Sequence, residues 1–227
     1  MFELSEYINN PTGVVDPRRY GVYPLSVNRV GAGLVFMVDR GEMDILIVTG
    51  EAMDLFSGIL RSQGNVIWKE ADLGHEQAVA LRRIFPFTSP MPILRHDRSV
   101  GVGDRLGIAT YGHIRAFREF DAYPVFAQQS IRELNLTGRS YEDVLDAVTF
   151  AVFREGYKRG FGADGDHLKK PEEIEYALAS GFTMITLDCS EHIRNDADTM
   201  TDAEIERQAV LPANIASLYL GKEFDVD

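Results

Sequence analysis

From Val125 to Asp188 the chain repeats one pattern, in which a short apolar run ends on polar side chains and a helix-length amphipathic stretch follows. Val125-Phe-Ala127 runs into Gln128-Gln129-Ser130, Gly162 to Asp166 closes on Asp164-Gly165-Asp166-His167, and Phe182 to Leu187 closes on Thr186-Leu187-Asp188. Helical spacing spans Arg105 to Phe120, continues through Leu134, resumes from Ser140 to Arg159, and returns from Glu172 to Ser180 behind Pro171. Strands alternating with helices require a parallel sheet joined by right-handed crossovers. A complete eightfold βα barrel needs ~250 residues, roughly 30 per unit. Residues 91–227 therefore have room for about four units. The expected fold class is α/β, with about four βα units over 91–227. They form either a small open sheet or part of a TIM-like (β/α) barrel.

Residues 1–90 read as a smaller α+β segment. Val30 to Val38 and Met43 to Val48 are β-type runs, and the polar link Asp39-Arg-Gly-Glu42 joins them as a hairpin. Met53, Phe56, Ile59 and Leu60 have helical spacing, which predicts a helix from Glu51 to Leu60. A short strand follows at Val66 to Trp68, then a helix from Gly74 to Phe85. Pro86, Pro90 and Pro92 mark a rigid boundary. Near the other end, Thr201-Asp-Ala-Glu204 has the pattern of a capping box.

Charge and composition narrow the function classes. Asp and Glu outnumber Lys and Arg 35 to 23, a net charge of −12. That argues against a nucleic-acid or anionic-membrane surface, both of which need clustered positive charge. No apolar stretch approaches the ~20 residues that span a bilayer. Met1 to Glu6 carries acids where a secretory leader needs a basic head. The single cysteine, Cys189, fits a reducing compartment. The expected location is the cytoplasm.

Polar residues gather where the strands of the second part end, and sites in parallel α/β folds assemble at those carboxyl ends. Asp97-Arg98-Ser99, Gln128-Gln129-Ser130, Asp164 to His167, and Thr186 with Asp188 are the four such ends expected. Period-two alternation puts Asp164 and Asp166 on one face, and likewise Thr186 and Asp188. Asp164, Asp166 and His167 offer two carboxylates and an imidazole, oxygen and nitrogen donors suited to a divalent cation such as Zn²⁺ or Mn²⁺. Glu133, on the helix after Ser130, is a further ligand or base. Against this stands the plain reading that acids and hydroxyls after a strand merely cap the next helix. Gly101-Val-Gly-Asp-Arg-Leu-Gly107 is spaced GxGxxxG and is not a dinucleotide fingerprint. It reads as an anion-binding turn at a helix N-terminus, with Arg98 and Arg105 as clamps for a carboxylate or phosphate. Neither GxxxxGK[ST] nor GxSxG occurs, so no nucleotide cofactor and no acyl-transfer chemistry is expected.

Four ordered blocks, Asp97 to Gly107, Ala127 to Glu133 with Leu136 to Arg139, Phe161 to Lys169, and Gly181 to Asp188, resemble the tagaturonate epimerase family. The resemblance implies a metal-dependent sugar-acid epimerase on a TIM-like barrel, acting between tagaturonate and fructuronate. It also implies that later barrel strands, with further metal-binding residues, lie beyond Asp227. Inverting a carbinol carbon near a ketone needs an acid–base group and an electrophile on the carbonyl oxygen. Reversible C–C cleavage and deprotonation–reprotonation both fit. On this reading Glu133, Asp166 and His167 are the catalytic and metal-binding residues. Arg98, Arg105 and Lys169 compete for the sugar carboxylate. Gln128, Gln129, Ser130, Thr186 and Asp188 bind substrate hydroxyls. The expected partners are a small sugar acid and either a second copy of the chain or the missing half of the barrel. A different metal-dependent aldolase or isomerase, or a non-catalytic binding module, is the alternative.

Overall fold

The computed structural model describes residues 3–13, 15–208 and 210–223. Two compact units divide the chain, 1–188 and 189–227. The first holds both sheets. After a short helix α1 (Leu4–Asn9), strands β1 (Asn28–Val30), β2 (Gly33–Asp39), β3 (Asp44–Thr49), β4 (Ile59–Gln63) and β5 (Val66–Asp72) form an antiparallel sheet ordered β1-β2-β3-β5-β4. The expected hairpin is β2–β3, in register from Val35 opposite Val48 to Asp39 opposite Asp44.

The helix expected over 51–60 is not formed. A 3-10 turn covers Gly50–Leu55, and Ile59 and Leu60 open the exposed edge strand β4. Gly58 has φ 154° and turns the chain out of helical geometry. The Gly64-Asn65 link then closes a second hairpin, with Gln63 opposite Val66.

Helix α2 (His75–Ile84) covers one face of this sheet, and Ala78 and Leu81 are buried on it. The second sheet consists of β6 (Ser99–Gly101), β7 (Tyr123–Gln129), β8 (Gly162–Leu168) and β9 (Met184–Leu187). Its order is β6-β7-β8-β9, and every neighbouring pair is parallel. Helix α3 (Thr110–Glu119) joins β6 to β7, α4 (Ile131–Thr137) and α5 (Tyr141–Glu155) join β7 to β8, and α6 (Pro171–Ala179) joins β8 to β9. The alternation expected from the sequence is therefore present, in a mixed α/β chain with a four-stranded parallel sheet.

Helix α5 is the hub of this unit. Val144, Val148, Ala151 and Val152 pack with Phe126, Ala163 and Phe182 of the parallel layer, while Phe150 and Phe153 pack with Val35, Met37 and Val48 of the antiparallel one. A helix apolar nearly all round must be enclosed on both sides. Asp146 of α5 also accepts hydrogen bonds from Arg82 (2.8 Å) and pairs with His75 (2.7 Å), tying α2 to it.

The second unit carries α7 (Asp202–Gln208) and α8 (Ala213–Tyr219). The Thr201 amide donates to Glu204, which forms half of the expected capping box. No helix among the described residues is long and apolar enough to cross a membrane.

Candidate active site

Strand alternation and register divide the side chains of the parallel sheet between two faces. Ala127 pairs with Ala163, and both lie in the helix-packed core. One residue on, Gln128 pairs with Asp164, and Asp164 with Met184, so all three share the other face. Thr186, two residues past Met184, joins them. There Asp164 is fully buried, and its Oδ2 accepts from Gln128 Nε2 at 3.1 Å and from Thr186 Oγ1 at 2.8 Å. Its Oδ1 is buried without a hydrogen-bond partner. Three adjacent strands thus meet on one carboxylate, a residue expected at a strand end but given no catalytic or binding role there.

At the carboxyl ends of the strands opens a cavity of about 670 Å³, which Gln128, Asp164 and Thr186 do not line. Arg105, Ser130, Glu133, Asp166, His167, Lys169 and Asp188 line it, seven of the residues expected from the sequence. Asp166 and His167 sit where the β8–β9 register slips, between Gly165 and Leu168. Such a bulge re-aims side chains at the end of a strand. His167 has φ 54°, a left-handed backbone that a non-glycine residue adopts at a cost. Its ring lies 3.9 Å from Asp166 Oδ1 and 3.8 Å from Asp188 Oδ2, and Lys169 Nζ lies 3.7 Å from Asp188.

The two acids on either side of the cavity differ in character. Burial pushes the Asp166 carboxyl above its ordinary range, and repulsion from Asp164 and Glu133 adds to this against the pull of His167 and Arg105. Burial also acts on Glu133, but hydrogen bonds from Arg105 and the Ser130 amide outweigh it and hold the carboxyl below the usual range. Both Glu133 oxygens are engaged. Oε1 accepts from Arg105 Nε at 2.8 Å, and Oε2 accepts from Ser130 N at 3.2 Å. Ser130 Oγ in turn accepts from Glu133 N, completing a capping box on α4. Ser130 and Glu133 therefore serve the helix terminus as well as line the cavity.

Three expectations meet a different geometry. Asp97 and Arg98 precede β6 and do not end a strand. Arg98 stands at the amino end of the sheet, 3.6 Å from Asp121 and beside His96 and Tyr123, away from the cavity. Gln129 takes the helix-packed face by alternation, where its Nε2 donates to Thr137 Oγ1 at 3.4 Å and its Oε1 is buried without a partner. The helix expected from Arg105 begins at Thr110, because the amides of Leu106 to Thr110 all donate to the side chain of Asp104. The anion bound at that helix N-terminus is the chain's own carboxylate. Gly103 admits this turn, since a Cβ there would stand 2.5 Å from the Gln128 carbonyl oxygen.

The donor set also bears on the expected cation. Among the described residues no three His, Cys, Asp or Glu side chains are grouped to hold a metal ion. Glu133 is spent on Arg105 and the α4 cap, which leaves Asp166 and His167 short of a ligand set. These residues do not by themselves fit a Zn²⁺ or Mn²⁺ centre.

The cavity can bind an anion through Arg105 and Lys169 and present a proton-exchanging carboxyl, Asp166, beside it. A tagaturonate/fructuronate epimerase of Thermotoga maritima is 39% identical over 214 residues, which is 92% of this chain and 44% of that protein. The glycerol-complexed crystal structure of the fructuronate-tagaturonate epimerase UxaE from Cohnella laeviribosi superposes with a TM-score of 0.76 at 43% identity, covering 89% of this chain and 42% of that one. Its native crystal structure gives a TM-score of 0.76 at 41% identity, covering 98% and 45%. The chain thus spans less than half the length of these relatives. The family model for tagaturonate epimerase matches residues 23–227, and the chain belongs to that family.

Proposed function

We propose that this chain contributes the acid-binding and proton-exchanging side of a sugar-acid epimerase site, acting between tagaturonate and fructuronate. The names of the relatives supply the substrate class. The carrying observation is the pairing of two cations, Arg105 and Lys169, with the half-buried, hard-to-ionise Asp166 in one cavity at the strand ends. Arg105 takes the sugar carboxylate, for which a guanidinium is the better geometric match, and Lys169 adds a second positive charge to the cavity lining. Asp166 exchanges the proton. A carboxyl whose ionisation is disfavoured by burial is nearer to working as both acid and base than a freely solvated one. His167, held between Asp166 and Asp188, orients the acid. Gln128 and Thr186 hold Asp164 beneath it, and Ser130 and Asp188 face the substrate hydroxyls.

The sheet suggests where the rest of such a site belongs. Four parallel strands in sequential order, joined by helices, favour the winding of a βα barrel over that of a doubly wound sheet, whose order reverses at a switch point. We read β6–β9 as the first part of a barrel, with the polar face of Gln128 and Asp164 as its interior. A divalent cation would draw on Asp166 and His167 and on ligands outside this chain.

Both chemical routes to epimerisation use the same proton-exchanging group, and deuterium uptake from D₂O into the sugar separates them. The test of the reading itself is calorimetric titration of the chain with tagaturonate, fructuronate and the neutral ketohexose of tagaturonate's configuration. Both acids bind and the neutral sugar binds at least tenfold more weakly, as expected for a charge-assisted bond. Equal binding of acid and neutral sugar, or binding of neither, overturns it.

A further inference from the structure

We infer that Asp104 and Arg139 are positioning residues that together aim Arg105 at the substrate carboxylate. This inference rests on the reading of Arg105 given above. Asp104 is only 6% exposed and makes no contact with the cavity. Its two oxygens accept six hydrogen bonds, all from the turn that follows it. Oδ1 takes the amides of Leu106, Gly107 and Ile108 at 2.9–3.3 Å, and Oδ2 takes those of Ala109 and Thr110 and the Thr110 hydroxyl at 2.7–2.9 Å. Five successive amides converging on one carboxylate lock residues 104–110 into a single conformation.

Arg139 closes the turn from the other side. Its Nη1 donates to the carbonyls of Asp104 (3.2 Å) and Arg105 (3.0 Å), and its Nη2 donates to the Asp143 carbonyl on α5. Gly107 completes the fit, with φ +76° and no room for more than a light contact against the Arg139 guanidinium.

The consequence falls on Arg105. Its side chain is about half exposed, and a free arginine of that kind samples many rotamers. Here its backbone carbonyl is pinned by Arg139, its neighbour is Asp104, and its Nε is directed to Glu133. The guanidinium then lines the cavity, held at Nε by Glu133 and at Nη1 by the Gly103 carbonyl (3.5 Å). Burial raises the Asp104 carboxyl, but the bonds from Thr110, Ala109 and Ile108 outweigh that and hold it below the usual carboxylate range.

The test has an arm that needs no ligand. In a ¹⁵N-labelled chain the Arg105 Nε–H resonance, identified by its loss in Arg105→Lys, is expected to exchange slowly because it is bonded to Glu133. Asp104→Asn keeps the size of the side chain but removes its charge and one acceptor, and it is expected to bring that resonance into rapid exchange while the amide spectrum of the antiparallel sheet stays unchanged. Arg139→Gln releases the same turn from the other side without touching Asp104, and the same loss is expected if Asp104→Asn proves too unstable to study. Persistence of a slow Arg105 resonance in Arg139→Gln, or in a folded Asp104→Asn, overturns the inference.

The ligand arm is a double-mutant cycle. Tagaturonate affinity is expected to fall about tenfold in Asp104→Asn and not to fall further when that change is added to Arg105→Gln. Additive losses overturn the inference. A wild-type chain that binds no tagaturonate overturns the proposed function alone, since the Arg105 resonance still decides the positioning role.

Discussion

The two sheets of this chain are built from similar numbers of short strands and spend their residues differently. In the antiparallel sheet, β2 and β3 are buried on both faces. Val35, Met37, Leu46 and Val48 face α2 and α5, while Phe36, Val38, Ile45 and Ile47 pack with Leu4, Tyr7, Val22 and Trp68. Its Glu70 is well satisfied, accepting from Arg40, Arg61 and Trp68. In the parallel sheet the helix face is apolar and the opposite face is mixed, with Met184 among polar side chains. The opposite face carries Gln128, Asp164 and Thr186, with one carboxylate oxygen left without a partner. A buried acceptor without a donor costs free energy. A fold that keeps one beneath a polar cavity, while its other sheet is sealed on both sides, separates a stabilising layer from a working one.

That contrast can be broken by mutation. The largest expected effect lies in the sealed sheet. Phe36→Ala removes a fully buried ring that packs edge-on against Tyr7, and should cost about 3–5 kcal/mol in chemical denaturation. A loss below about 1 kcal/mol would show that this sheet is not the stabilising layer. Next in size, Arg105→Gln should weaken tagaturonate binding by about 10- to 100-fold and leave unfolding nearly unchanged, because the Arg105–Glu133 pair is half exposed. Calorimetry and a denaturation curve on the same sample check both halves.

A smaller effect is expected from pH. Asp166 has a raised carboxyl, so between its unfolded and folded values the native state holds the extra proton. Stability therefore falls as pH rises through that window, and the deficit persists above it. Asp166→Asn should abolish the deficit, so its advantage over the wild type should be greatest above the window and vanish in acid. Melting temperatures of the two across pH decide this, and an advantage that grows toward low pH would contradict it. The smallest expected effect is a null. Equilibrium dialysis of the chain alone against Mn²⁺ or Zn²⁺ should leave no stoichiometric metal bound at the cavity, since the described residues group no three ligands there. One tightly held ion per chain, lost in Asp166→Ala, would show that the donors rearrange into a centre.

How much of this was legible in the sequence follows the physics of each element. The β2–β3 hairpin was readable because two apolar runs flank a polar link that only a reversal satisfies. Helices α4 and α5 were readable in part from Ser130 and Ser140, each followed three residues later by an acid. The stretch 51–60 misled because Met53, Phe56, Ile59 and Leu60 imitate one helix face, whereas Ile59 and Leu60 lie on an exposed edge strand where apolar spacing reports no core. Arg98 was placed at the wrong end of the sheet because β6 is three exposed residues long, too short for its direction to be read. The first turn of α3 was misassigned because Asp104 captures five amides beyond itself. An Asp with Gly three residues on and Thr six on is the signal that could have exposed it.

Within the candidate site the strand ends were readable as a group, and seven of the expected residues do line one cavity. Gln129 was separable from Gln128 by alternation alone, since adjacent residues of a strand face opposite ways. Asp164 was set on the same face as Asp166 by that rule, but its importance was not. That depends on Gln128 and Thr186 reaching it from two other strands, a pairing of residues 36 and 22 positions away that only the register reveals.

The central claim is that the carboxyl ends of β7, β8 and β9, with the turn that carries Arg105, form one basin that receives a sugar acid. Backbone amide shifts recorded while tagaturonate is titrated into the ¹⁵N-labelled chain test it most directly. The account predicts saturable shifts confined to the segments around Arg105, Ser130, Asp166 and Asp188, with the β2–β3 hairpin silent. Shifts centred on that hairpin or around Arg98, or no saturable shift at all, would contradict it.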